Sequence, residues 1–306
     1  MTGPALLEGC RWVTDGGLET DLLFHQGADL PEFAAFPLVD DDAGRALLLD
    51  YLAEYAAVAA AAEAGLVLET PTWRANPDWA ALLGYDAAAL DEVNRRAVDL
   101  VRGAAGSGAD VRRTLVSGVV GPRGDGYVAA GADPDEAADY HSAQIGSFAA
   151  AGVDVVHAMT LSEPAEAVGV VRAARAAGLP VAISFTVETD GRLPDGTTLR
   201  AAIERVDGVA APDWYGVNCA HPTHLLPALD GGGWQERIAT LRPNASTLTH
   251  AELDAMEELD TGDLPHLVAS ARAVQERLPS VAVLGGCCGT DSRHVAALWD
   301  VPAPRA

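Results

Sequence analysis

The chain has 306 residues, 49% of them hydrophobic, so it can bury a large core. Its formal net charge is −24, from 44 acidic and 20 basic residues, and no basic stripe is present to neutralise phosphates, which argues against nucleic-acid and anionic-membrane partners. All 20 basic residues are arginine, and the absence of lysine excludes chemistry that needs an ε-amine, such as Schiff-base aldolases and pyridoxal enzymes. The acid excess reads first as solubility, and second as a field that favours a cationic substrate.

No stretch reaches the ~18 consecutive apolar residues of a membrane span. The start, MTGPALLEGCRWV, has no basic segment followed by an apolar one, so no signal peptide is expected. Four cysteines in a chain of this length do not make a disulfide framework. The expected location is the cytoplasm, whose reducing poise free thiolates require. The expected partners are small molecules, and the sequence allows a homo-oligomer.

Short β-branched or apolar runs alternate with Ala-rich helical stretches. Strands are predicted over 12–15, 66–70, 115–120, 153–158, 181–187, 214–219, 237–241 and 281–285. Helices are predicted over 43–64, 87–102, 134–151, 163–177, 198–206, 264–278 and 293–299, with a short one near 224–229. Eight strands with intervening helices point to an α/β fold, a single (β/α)8 barrel of the TIM type covering 1–306 as one domain. A doubly wound open sheet is the alternative, but DGGLET at 15–20 is not the G-x-G-x-x-G turn that usually follows its first strand. GPRGDG at 121–126 and GRLPDG at 191–196 directly follow predicted strands, which places them among the loops on the catalytic face of a barrel.

Cys219 ends the sixth strand in YGVNCAHP, and Cys287 and Cys288 end the eighth in VAVLGGCCGT. Strand ends on the C-terminal side of a barrel converge, so three sulfurs far apart in sequence can meet. Adjacent residues on a regular strand face opposite ways, so the glycines at 285, 286 and 289 are expected to bend the chain until both cysteines face one ion. Three thiolates make a tetrahedral zinc site with one position open, the catalytic rather than the structural arrangement. Packing as small buried hydrophobes is the competing reading, and it suits Cys10, which precedes the first strand at the opposite end. A thiol has a pKa near ~8.5, and taking the open position on Zn2+ would deprotonate it. The catalytic group would then be the zinc-activated thiol of the substrate, with no protein nucleophile.

These residues resemble the zinc-dependent homocysteine S-methyltransferase family, which includes enzymes using S-methylmethionine or betaine as donor. The resemblance covers DGGLET at 15–20, SGVVGPRGD at 117–125, YHSAQ at 140–144, ISFTVETDGRLPDGTTL at 183–199, GVNCAHPTHLLPAL at 216–229, RPNAS at 242–246 and GGCCGT at 285–290. It implies a (β/α)8 barrel with Cys219, Cys287 and Cys288 as zinc ligands. Asp15 and the Gly16–Gly17 backbone would hold the amino-acid head of a homocysteine-like thiol, with Asn218 and Asn244 as polar residues lining the pocket. Three stretches depart from the family pattern. Met159 in HAMTLSEP stands where a glutamate usually binds the substrate ammonium, LETPTWRANPDW carries Glu69 and Arg74 in an aromatic loop that usually begins from a neutral polar residue, and Glu19 replaces a small or apolar one. Glu163 lies too far along to replace the missing glutamate.

His221 and His224 follow Cys219 closely but are not needed as ligands, and His141 and His157 read as structural. Trp73 is expected over the pocket, where its face could meet a sulfonium or quaternary ammonium methyl donor. The expected reaction is methyl transfer from such a cationic donor to a thiol, homocysteine or a relative. Met159 keeps alive a second reading, a zinc-binding barrel that has lost turnover and serves in binding or sensing.

Overall fold

The computed structural model describes residues 4–105 and 111–304. Strand β1 (Trp12–Val13) leads through helices α1 (Leu18–Phe24) and α2 (Asp42–Ala61) to β2 (Gly65–Glu69). Next come α3 (Pro77–Leu82), α4 (Ala87–Ala104), β3 (Thr114–Val120), α5 (Pro134–Ala151), β4 (Val155–Leu161), α6 (Pro164–Ala176), β5 (Val181–Phe185), α7 (Leu199–Asp207) and β6 (Trp214–Asn218). The chain ends with α8 (Pro222–Leu225), β7 (Ile238–Arg242), α9 (His250–Asp254), α10 (Leu264–Arg277), β8 (Val283–Leu284) and α11 (Ser292–Leu298). Neighbouring strands pair in parallel, and β8 closes on β1 through Trp12–Val283 and Val13–Leu284. The fold is a single (β/α)8 barrel, as expected.

Most of the longer helices begin at an aspartate or threonine whose side chain accepts a backbone N–H of the first turn, including Asp41, Asp86, Asp133, Thr198, Asp263 and Asp291. Helices α1, α3 and α9 were not expected; at seven, six and five residues they are too short to show a period in sequence. The expected strands at 12–15 and 281–285 shrink to two residues each. Beyond Val13 and Leu284 the two segments turn together rather than run on. The Gly286 N–H donates to the Asp15 carbonyl at 2.8 Å, and the Gly17 N–H to that of Thr290 at 3.0 Å.

Alternation along the strands stacks the barrel interior in layers. At the N-terminal end Trp12, Val67, Leu115, Val155, Ala182, Trp214, Ala239 and Val283, one from each strand, form an apolar plug that Leu7 caps. Two residues further along β2, β4 and β5 the inward positions are Glu69, His157 and Ser184, all at most 5% exposed. This belt is linked internally: the His157 ring approaches Ser184 Oγ at 2.7 Å and Glu69 Oε1 at 3.4 Å. The interior thus passes from apolar to polar toward the C-terminal face, where the site lies. Outside the barrel the main core packs the strands' outward residues against the helices. Among the described residues no helix is long and apolar enough to cross a membrane.

Candidate metal and substrate site

A cavity of about 400 Å³ opens at the C-terminal end of the barrel. In its wall the sulfurs of Cys219, Cys287 and Cys288 lie within 4.8 Å of one another. Cys287 Sγ is 3.0 Å and Cys288 Sγ 3.5 Å from Cys219 Sγ. Adjacent cysteines face the same way because the chain has left the sheet after Leu284 and reverses at Gly289, whose φ is +77°. Two bonds pin the turn to the segment after β7: Cys287 N–H to the Pro243 carbonyl at 2.8 Å, and Ala245 N–H to that of Cys288 at 3.1 Å.

Cys219 holds a left-handed backbone, φ +57°, a conformation that costs a non-glycine residue about 1–2 kcal/mol. The surroundings hold it there. Its carbonyl accepts from Asn244 Nδ2 at 3.1 Å, Thr186 Oγ1 at 3.2 Å and His250 Nε2 at 2.7 Å. Tyr127, from the loop after β3, sets its hydroxyl 3.2 Å from Cys219 Sγ and 4.0 Å from Cys288 Sγ. Its ring stacks on His250 with centroids 4.0 Å apart, and His250 Nδ1 meets Glu188 Oε1 at 2.9 Å.

Three thiols in so small a space cannot all ionise by themselves. Hydrogen bonds from Cys219 and Cys288 hold Cys287 well below the usual thiol range. The same contacts with Cys287 and Cys219 push Cys219 and Cys288, respectively, upward. Three thiolates so close together require a cation among them. Three soft donors with room on the cavity side fit a zinc ion that keeps one open position.

Beside the sulfurs lies Arg242, at the end of β7 and 4% exposed. Each of its five N–H groups has an acceptor. Nε donates to the Gly286 carbonyl at 3.0 Å; Nη1 to Thr14 Oγ1 and Glu69 Oε1, both at 3.2 Å; Nη2 to Asp15 Oδ1 at 2.5 Å and the Gly16 carbonyl at 3.1 Å. One guanidinium thus ties the ends of β1, β2 and β8 together beneath the cysteine pair. At Asp15 burial outweighs the guanidinium and lifts the carboxyl to about 6. At Glu69 burial also acts upward, but His157 and Arg242 overcome it and hold the carboxyl below its ordinary range.

The sequence model of the family described as homocysteine S-methyltransferase matches residues 12–301. The chain belongs to this family. Among solved structures the chain is similar to the homocysteine methyltransferase MmuM from Escherichia coli. The metallated form aligns with a TM-score of 0.71 at 23% identity, over 96% of this chain and 97% of that one. The oxidized form gives 0.73 at 23% and the apo form 0.64 at 22%, with the same coverage; at such identity the likeness speaks for the fold. No curated protein sequence matches the chain.

Within this methyltransferase the expected pocket residues divide. Asp15, Gly16, Gly17, Glu19, Glu69, Trp73, Met159 and Asn218 line the cavity together with the cysteines. Asn244 does not; it sits behind Cys219 and supports its carbonyl. The expectation that Asp15 and the Gly16–Gly17 backbone hold a substrate head meets competition. Arg242 engages Asp15 and the Gly16 carbonyl, and Thr290 takes the Gly17 N–H. Both glycines allow close approach: a Cβ at Gly16 would lie 2.7 Å from the Thr290 carbonyl oxygen, and one at Gly17 2.5 Å from that of Cys287.

Asn218 braces the far wall. Its Oδ1 accepts the Thr160 N–H and its Nδ2 donates to Thr160 Oγ1, both at 2.8 Å. Trp73 donates its indole N–H to the Met159 carbonyl at 3.2 Å, and Arg74 lies 5.2 Å from the Trp73 ring centroid, so this aromatic already has a cationic neighbour. Arg74 also covers Trp79 at 3.9 Å, and its buried Nε has no partner among the described residues. Glu163 accepts the Ala130 and Ala132 N–H groups, so it shapes the loop that carries Tyr127 rather than the pocket. His141 pairs with Glu166, and His221 caps α8.

Sequence reasoning missed Arg242, Tyr127 and His250. A signal for Arg242 was available, since an arginine closing an apolar strand is rarely buried without a partner. Tyr127 lies on a loop and His250 opens the five-residue helix α9, and nothing in their neighbours' identity ties them to the cysteines.

Proposed function

We propose that the protein is a zinc-dependent S-methyltransferase that moves a methyl group from a sulfonium or quaternary ammonium donor, of the S-methylmethionine type, to homocysteine or a related thiol. The observation that carries this reading is the meeting of Cys219, Cys287 and Cys288 in the wall of one cavity at the C-terminal end of the barrel. Zinc held by these cysteines would supply an open coordination position at which an incoming thiol gives up its proton.

The chain's own residues do the rest. Holding both substrates in one cavity would replace a bimolecular encounter by a positioned one, with the donor's methyl carbon in line with the acceptor sulfur. The acceptor sulfur forms the new S–CH3 bond, and the donor heteroatom keeps the electron pair of the broken bond and loses its charge. The rim carboxylates Asp125, Asp254 and Glu258 favour a cationic donor over its neutral product. Arg74 offers a cation for a carboxylate on either substrate. Asn218 and Tyr127, in contact with the sulfurs, keep the cluster's orientation.

The test is a panel of donors and thiols with zinc-loaded protein, read by mass spectrometry of the methylated product. Transfer from S-methylmethionine to homocysteine supports the reading. Zinc binding without transfer to any thiol would favour a binding role instead.

A further inference from the structure

We infer that Glu19, rather than Asp15 or the wall at residue 159, is the carboxylate that receives the cationic group of the thiol acceptor. The inference rests on the methyl-transfer reading above and concerns how the same cavity selects its substrate.

The argument follows the charges around the cavity. Position 159 offers a thioether, which carries no charge. Asp15 is tied to Arg242 at 2.5 Å, and Arg242 has no N–H left with which to turn elsewhere. Glu69 keeps Oε2 unpartnered, but its Oε1 already meets Arg242 at 3.2 Å and His157 at 3.4 Å. A substrate cation beside Glu69 would therefore meet the guanidinium as well. Asp260 is bonded to Ser246 at 2.5 Å and to the Gly262 N–H at 2.9 Å. Asp125, Asp254 and Glu258 are exposed on the outer rim.

Glu19 differs from all of these. It is half-buried on α1, faces the cavity, and among the described residues no other residue forms an ion pair or hydrogen bond with its carboxylate. A carboxylate taken out of water without a counter-charge is costly, and an arriving ammonium removes that cost. Burial lifts its carboxyl to about 7, with the nearby charges of Asp15 and Cys287 adding to the effect and that of Arg242 opposing it only in part. The Arg74 charge also reaches Glu19, but the two form no ion pair among the described residues. Two carboxylates bound to one arginine, a methionine opposite and a glutamate left open together move the cation subsite to α1.

The experiment compares homocysteine with its deamino analogue, 4-sulfanylbutanoate, on zinc-loaded full-length wild type, Glu19→Gln, Glu19→Asp and Glu69→Gln. Binding is measured by calorimetry and transfer by steady-state kinetics with S-methylmethionine. Glu19→Gln is expected to weaken homocysteine binding and raise its KM about 10- to 100-fold, the value of a hydrogen bond to a charged group. The deamino analogue and the donor KM should not change, and Glu19→Asp should fall between. In Glu69→Gln the preference for homocysteine over the analogue should persist. Equal binding of the two thiols by wild type, or an unchanged preference in Glu19→Gln, overturns the inference, as does an effect confined to donor KM. Absence of transfer in wild type would sink the methyl-transfer reading alone, because calorimetry still decides the place of Glu19.

Discussion

The hydroxyl of Tyr127 lies 3.2 Å from Cys219 Sγ, while its ring stacks on His250, which in turn holds the Cys219 carbonyl. Burial pushes the Tyr127 hydroxyl well above its ordinary range, with the Cys219 and Cys288 charges adding to the effect, so it stays protonated and would donate to a metal-bound Cys219 thiolate. Tyr127→Phe keeps the stack and removes the donor. A thiolate relieved of a hydrogen bond gives electrons to a metal more readily. The sulfur-to-cobalt charge-transfer band of the cobalt-substituted variant should therefore move to lower energy, with little change in thermal stability.

About one zinc per chain is expected, lost when the ligands are changed. Metal analysis of purified protein should give a value near one for wild type. In Cys219→Ser, Cys287→Ser and Cys288→Ser it should fall sharply. Retention of full zinc in the Cys287→Ser, Cys288→Ser double variant would remove the basis for the site.

Zinc should matter for activity and not for folding. The barrel has an apolar plug and a large outer core that do not involve the cysteines, unlike a small zinc finger that unfolds without metal. Chelation under reducing conditions should abolish transfer and leave the far-ultraviolet circular dichroism close to that of the loaded protein.

Arg242→Met leaves Asp15 buried without its counter-charge and Glu69 with His157 alone. Removing one partner of a buried ion pair costs about 3–5 kcal/mol, so a fall of that order is expected in denaturant unfolding at neutral pH. Without the guanidinium, Asp15 titrates in the folded variant still further above its unfolded value of ~3.9. The folded variant then binds protons that the unfolded chain does not, and its deficit against wild type should shrink as pH falls toward 5. A deficit that stays constant between pH 7 and 5 would contradict this account.

Asp291 caps α11 just after the cysteine turn. Burial would raise its carboxyl, but hydrogen bonds from His294 and Arg293 outweigh burial and hold it well below the usual carboxylate range. A carboxyl depressed on folding contributes stability that is complete above the unfolded value of ~3.9 and is lost as pH falls through the lower folded value. Wild type should therefore lose stability below about pH 4 more steeply than Asp291→Asn, whose cap does not titrate. Urea midpoints at pH 5 and pH 3 measure the difference.

The barrel and its sulfur cluster were legible in the sequence for local reasons. Each strand is a short apolar run between helices of clear period, and eight of them admit few closures. Cys219 and the Cys287–Cys288 pair end their strands, so the fold alone carries them to one face. Short elements were not legible, because a five- to seven-residue helix such as α1 or α9 shows no repeat. The paths of Asp15 and Gly286 were hidden as well, since they leave the sheet only because the two segments bond to each other.

What the tertiary structure alone decided is which charges are already paired. Glu69 and Arg242 are 173 positions apart and meet only because β2 and β7 both aim their ends into the barrel. Read in sequence, Asp15, Glu19 and Glu69 are three equivalent carboxylates near strand ends. Closure places the Arg242 guanidinium against two of them and leaves Glu19 without an ion-pair partner among the described residues. Electrostatic attraction depends on distance in space, and in a barrel that distance is set by closure and register, to which separation along the chain is no guide.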